Sequence, residues 1–173
     1  MRLFVALNFS EDTIKQLAKL RDELRSNSKS GSFTLTENLH LTLVFIGECN
    51  DKQGASIKSV MNAIHFEPFE TVIDRIGRFK RDGGDIWWAG CGESKPLLKL
   101  QHELSVALMS AGFDLDRRAY SPHITIGRKV LTNMKPRNID PTREQISGMD
   151  LMKSERINGK LTYTSIFTRK SLC

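Results

Sequence analysis

Leu39-His40-Leu41-Thr42-Leu43-Val44-Phe45-Ile46-Gly47 returns in outline as Pro122-His123-Ile124-Thr125-Ile126-Gly127-Arg128, so two of the four histidines stand in a His-apolar-Thr-apolar frame. Successive side chains of a β-strand point to opposite faces. His40 and Thr42 then share one face and Leu39, Leu41 and Leu43 the other; His123 and Thr125 are set against Ile124 and Ile126 in the same way. Each stretch reads as a strand that buries aliphatic side chains and presents an imidazole and a hydroxyl together. The two half-sites are remote in sequence and can meet only through folding.

Outward from these strands, Leu3 to Leu7 reads as a first buried strand. Ser10, with Glu11 and Asp12 behind it, opens a helix carrying Ile14, Leu17, Leu20 and Leu24 on one face. Ser26 to Gly31 reads as a polar loop, and Glu37-Asn38 turns the chain into the first histidine strand. Asp51 to His65 forms a second amphipathic helix through Ile57, Val60, Met61 and Ile64, with His65 expected to settle on its terminal carbonyls. A strand from Phe66 to Phe79, the turn Lys80 to Asp85 and a strand from Ile86 to Gly90 follow. Ser94 and Pro96 then open a third helix that Gly112 closes, and its His102 falls on the solvated face. Asn158-Gly159 marks a type I′ turn between two closing strands.

This order is not the strict strand-helix alternation of a doubly wound parallel sheet. It predicts an α+β fold with an internal pseudo-twofold: two antiparallel β-sheets facing a central cleft, helices packed outside, and residues 1–173 forming a single bilobal domain.

A length of 173 residues, 39% hydrophobic and 27% charged, suits one compact globular unit rather than a disordered or fibrous chain. The net charge of +6 favours anionic ligands without proving one. Cys49, Cys91 and Cys173 are odd in number and widely spaced, which argues against a disulfide framework and for a reducing, cytoplasmic setting. No apolar run approaches the length of a signal-peptide core or a membrane span, so no membrane partner is expected.

Two imidazoles across a cleft suit general acid-base catalysis, because an ordinary histidine pKa near 6.5 keeps both forms available around neutrality. One takes a proton from water or a hydroxyl, the other gives one to a leaving oxygen, and Thr42 and Thr125 donate to the non-bridging oxygens of a phosphoryl group between them. Arg128, read as lying just past its strand, adds a guanidinium for the phosphate, with Arg118 a weaker candidate of the same kind. Phe45, Phe79, Trp87, Trp88 and Tyr120 are available as nucleotide contacts; Phe79 is the most suggestive, amid Arg75, Arg78, Lys80 and Arg81, and the tryptophans read first as core. No histidine-carboxylate-cysteine cluster at ligand spacing accompanies either motif, so neither a metal nor another cofactor is expected. A phosphate-binding glycine loop with Lys-Ser/Thr is also missing.

With these residues, and with Met1-Arg2-Leu3-Phe4-Val5-Ala6-Leu7, Asn38 to Glu48 and Tyr120 to Arg128 together, the chain resembles the two-histidine (2H) phosphoesterase superfamily over nearly its whole length. It looks most like the LigT-like branch, the ThpR-type RNA 2′,3′-cyclic phosphodiesterases. The resemblance implies a bilobal fold and metal-independent opening of a terminal 2′,3′-cyclic phosphate to a 2′-phosphate. His40 would be the proton donor, His123 the proton acceptor, and Thr42 and Thr125 the phosphate-holding residues, although near symmetry lets either histidine take either role. The implied partner is RNA with a cyclic phosphate end, tRNA halves included, or a small cyclic nucleotide, acted on by a monomer; 2′–5′ RNA ligation is associated with the same branch. Two residues depart from the expected pattern: Phe33 stands where tryptophan is expected and Gly127 where alanine is usual. Rival readings are a phosphodiesterase for another 2′–5′ or cyclic nucleotide, and a non-catalytic RNA-end binding module.

Overall fold

A computed structural model describes residues 1–173 and contains nine strands, three α-helices and one 3-10 turn. In chain order these are β1 (Arg2–Leu7), α1 (Glu11–Ser26), β2 (Ser28–Phe33), the 3-10 turn Thr36–Asn38, β3 (Leu41–Glu48), α2 (Asp51–Ala63), β4 (Phe69–Phe79), β5 (Asp85–Cys91), α3 (Lys95–Ser110), β6 (Ile124–Thr132), β7 (Arg137–Ile146), β8 (Gly148–Ile157) and β9 (Lys160–Lys170). The strands form two sheets, ordered β3-β1-β8-β9 and β2-β6-β5-β4-β7, with every pairing antiparallel. The expected α+β architecture of two sheets and outer helices is therefore present. The sheets are unequal, four strands against five, and α1 packs on the larger one while α2 packs on α3 and β9.

The helices begin and end where local chemistry dictates. Asn50 accepts from the Gln53 backbone while Gln53 accepts from the Asn50 backbone, a reciprocal capping box for α2. At α1, Ser10 is the N-cap but makes no side-chain cap of its own. The buried carboxylate of Glu144, from β7, accepts from the Ser10 N–H (2.8 Å), Ser10 Oγ (2.9 Å) and Thr13 Oγ1 (2.5 Å). A negative charge there also complements the positive end of the helix dipole. Past α2, His65 does not serve the helix carbonyls as expected: Arg169 does, donating to Ile64 O (3.0 Å) and to His65 Nδ1 (2.9 Å). Asn158 and Gly159 adopt φ of 51° and 78°, the pair of positive values that a type I′ turn requires.

Two strands run against the sequence reading. The polar loop expected over 26–31 is largely β2, and no strand was expected at β7. These are the two edges of the larger sheet, and both are mostly exposed, so neither carries an alternating apolar face. Pro141 sits within β7, which only an edge strand tolerates.

One apolar cluster spans both sheets, from Leu3, Val5 and Leu7 of β1 to Ile73 of β4, Trp87 of β5 and Ile126 of β6, with Leu17, Ile57, Leu100 and Leu104 of the helices closing it. His40 and His123 enter β3 and β6 on the faces directed away from this cluster. No helix is long and apolar enough to cross a membrane.

Glu144→Ala would strand the donors of Ser10 and Thr13 under the first turn of α1, and is expected to cost about 1–3 kcal/mol. Urea unfolding of the two proteins side by side measures it.

Candidate active site

His40 and His123 sit one residue before β3 and β6 rather than within them. The alternation nevertheless holds: Leu39, Leu41 and Leu43 are each at most 3% exposed, while His40 Nε2 lies 2.9 Å from Thr42 Oγ1. Each ring is anchored in the same way. His40 Nδ1 is 2.7 Å from Asn38 O, and His123 Nδ1 is 2.7 Å from Ser121 O, in both cases the carbonyl two residues earlier. A carbonyl can only accept, so each Nδ1 carries the hydrogen and donates it. That leaves Nε2 of each ring as the nitrogen that exchanges a proton.

An aromatic ring stands edge-on to each imidazole. Tyr163 meets His40 at 5.2 Å and 90°, and Phe79 meets His123 at 5.0 Å and 86°. Phe4 packs between Tyr163 and His40, at 5.1 and 5.0 Å, above Ala6 and Met152. Phe79 thus braces the second histidine, whatever else it touches.

The register supplies the part that period-two reasoning misses. In the β1–β3 ladder Ala6 pairs with Thr42 but Val5 with Val44, so one extra residue follows the threonine. In the β5–β6 ladder Trp88 pairs with Thr125 but Trp87 with Gly127, and again one extra residue follows the threonine. Such β-bulges reverse the phase of all that comes after. Leu43 and Val44 are consequently both buried, as are Ile126 and Gly127. Phe45 and Arg128, each five residues past its histidine, emerge on the histidine faces instead of in the core, and Phe45 is 50% exposed. Arg128 therefore lies inside β6, not past it. Lys129 follows with φ of 52°, and its backbone packs against Gly84, where a Cβ would come within 2.4 Å of it.

The segments that carry the motifs are tied to one another. Tyr120 Oη donates to Thr42 O (2.8 Å), and Thr34 Oγ1 donates to Thr125 O (2.9 Å). Thr34 N–H also donates to Ile126 O, and buried Arg21 binds Thr34 O and Thr36 Oγ1, both at 2.9 Å. Tyr120, expected as a ligand contact, thus has its hydroxyl engaged by the opposing strand. Burial raises its phenol pKa well above the ordinary value.

Burial lowers the His40 pKa below the ordinary histidine value. The Nδ1 bond to Asn38 opposes this, and repulsion from Arg128 and His123 reinforces it. Arg118 is not part of the group: it is 86% exposed and paired with Asp116 in its own loop. A hollow of about 640 Å³ bordered by Ser10, Lys15, Asp22 and Arg143 lies on the far side of α1 and holds neither histidine. No three His, Cys, Asp or Glu side chains gather as a metal cluster.

Residues 9–154, which contain both His-x-Thr motifs, match the sequence pattern of the 2′-5′ RNA ligase superfamily. The chain belongs to this superfamily. An RNA 2′,3′-cyclic phosphodiesterase of Thermotoga maritima is 31% identical over 131 residues, 74% of this chain and 70% of that protein. One of Archaeoglobus fulgidus is 30% identical over 129 residues, 74% of this chain and 72% of that protein. The crystal structure of Escherichia coli LigT complexed with 3′-AMP shares the fold at a TM-score of 0.85, covering 98% of this chain and 97% of that one at 22% identity.

Within this 2′-5′ RNA ligase superfamily member, the two departures noted in the sequence prove to be a single packing. Phe33 pairs with Gly127 across β2 and β6, and a Cβ on Gly127 would meet the Phe33 ring at 3.2 Å and Val130 at 2.9 Å. Residues the sequence did not disclose as part of the site are Phe4, Thr34 and Tyr163. Their contacts depend on which strands become neighbours, and nothing near them in sequence announces that.

In an NMR titration of the free protein, the His40 ring is expected to titrate below about 6.5. Between that depressed value and 6.5 the unfolded chain holds the extra proton, so stability rises with pH across the window, and His40→Asn should remove that part of the slope.

Proposed function

We propose that this protein opens the 2′,3′-cyclic phosphate at an RNA terminus to a 2′-phosphate, with His40 as proton donor and His123 as proton acceptor. The observation that carries the reading is the matched anchoring of Nδ1 on Asn38 O and Ser121 O, which leaves Nε2 as the exchangeable nitrogen of each ring, that of His40 resting on Thr42 Oγ1. The curated relatives, named for this activity, support it.

In the proposed step, His123 Nε2 removes a proton from water as the water oxygen bonds to phosphorus. The bond from phosphorus to O3′ breaks, and His40 gives O3′ its proton. His123 Nε2 makes no hydrogen bond within the protein, which leaves its lone pair for water; burial lowers the His40 pKa below the ordinary value, so once charged that ring gives up its proton readily. The negative phosphodiester favours that charging when it arrives beside the ring. Thr42 and Thr125 donate to the non-bridging oxygens, Arg128 pairs with the developing charge, and Phe45 offers an exposed ring to the terminal nucleoside. Phe79 and Tyr120 act by holding His123 and the Thr42 strand. A 5′-hydroxyl in place of water would yield a 2′–5′ linkage by the same transfers. We further propose that both lobes act as one domain, as a monomer in the cytoplasm, on RNA ends such as tRNA halves or on small cyclic nucleotides.

Wild type in excess EDTA should convert a nucleoside 2′,3′-cyclic phosphate to the 2′-phosphate only. His40→Ala and His123→Ala should each lower kcat by about 10²–10⁴-fold. Turnover of another 2′–5′ or cyclic substrate alone would reassign the substrate, and tight binding of RNA ends without turnover would make the protein a binding module.

A further inference from the structure

Trp88 lies beside this site and is not used by it. It faces the cleft opposite Thr125, next to Phe79 at 5.6 Å, with Gly77 as its cross-strand neighbour and Gly90 two residues on along the same face. A Cβ at Gly77 would fall 2.4 Å from Cη2 and Cζ2 of the indole, and one at Gly90 2.7 Å from its Cζ3. The ring is therefore laid over two glycines, in space that any other residue would take. Its Nε1–H is buried without a partner, as is that of its core neighbour Trp87, so the glycine floor and not the indole N–H sets Trp88 apart. Beside the ring a groove runs out across β4 and β7 between Arg75, Pro136, Arg137 and Asn138. At about 4.8 Å per strand, that groove starts roughly 10 Å from β6, beyond the nucleotide whose phosphate lies between the histidines.

We propose that Trp88 is the stacking platform for the second base of the substrate, the one 5′ to the cyclic-phosphate nucleotide. This rests on the RNA-end reading above and deepens it. A tryptophan on a glycine floor presents a flat face that accepts any base, and the groove that runs on past it has room for an oligonucleotide rather than a free mononucleotide; Arg75 on its wall is already paired with Asp74 at 2.9 Å. The site then selects oligonucleotides over mononucleotides.

The test compares kcat/KM for adenosine 2′,3′-cyclic phosphate and for a trinucleotide ending in the same group, with wild type, Trp88→Leu and Gly77→Ala, each checked for native melting. Wild type should prefer the trinucleotide by about tenfold or more, the scale of one base stacked on an aromatic ring. Trp88→Leu should collapse that ratio toward one; Gly77→Ala, which displaces the ring, should lower it. Using the ratio cancels any general effect passed through Phe79 to His123. A folded Trp88→Leu protein that keeps the wild-type ratio, a wild type with no preference, or an equal loss on both substrates would overturn the platform. Wild type inactive on both would instead overturn the RNA-end reading.

Discussion

Two hydrogen bonds between the segments that carry the motifs, Tyr120 Oη to Thr42 O and Thr34 Oγ1 to Thr125 O, are the constraint on which the site depends. Each contributes only about 0.5–1.5 kcal/mol to stability. Their weight lies in position. A proton relay through two rings works only while both keep their distance to one phosphorus atom, and an error of about 1 Å can cost a hundredfold in rate. Each bond runs from a segment leading into one histidine to the carbonyl of the other motif's threonine. Tyr120 joins the two sheets, while Thr34, running on from β2, fixes the lead into His40 against β6.

The histidines, the threonines and the buried faces of both central strands were legible because they follow the simplest rule a strand obeys, alternation. Leu39, Leu41, Leu43, Ile124 and Ile126 lie where that rule puts them. The rule fails one step later. A strict period of two would bury Phe45 and Arg128, and only the inserted residue after each threonine turns them out. A bulge leaves no local mark in sequence beyond two apolar neighbours in a row, and both motifs have such a pair. Repetition was the signal that could have exposed it, since the pair recurs at the same offset from each histidine.

The edges of the larger sheet were illegible for a different reason. β2 and β7 pair along one side only and leave most side chains in solvent, so neither needed an apolar face. Their structural roles are carried by backbone and by single polar groups. β2 leads into Thr34, and β7 delivers Glu144 to the first turn of α1. Tyr163 likewise reaches His40 only because β9 lies beside β8, a neighbour relation set by the whole sheet.

Each sheet is completed late. β1 finds β3 early, but its other edge waits for β8, and 100 residues separate Glu48 from Gly148 in synthesis. At about 5–20 residues per second, a ribosome leaves that edge open for roughly 5–20 s. The nascent chain then carries an apolar strand, Leu3 to Leu7, paired along one edge only through most of its emergence. Vectorial synthesis therefore presents the histidine strand long before its sheet can close, and this protein's exposure to chaperones is set by its last hairpin rather than its first helix.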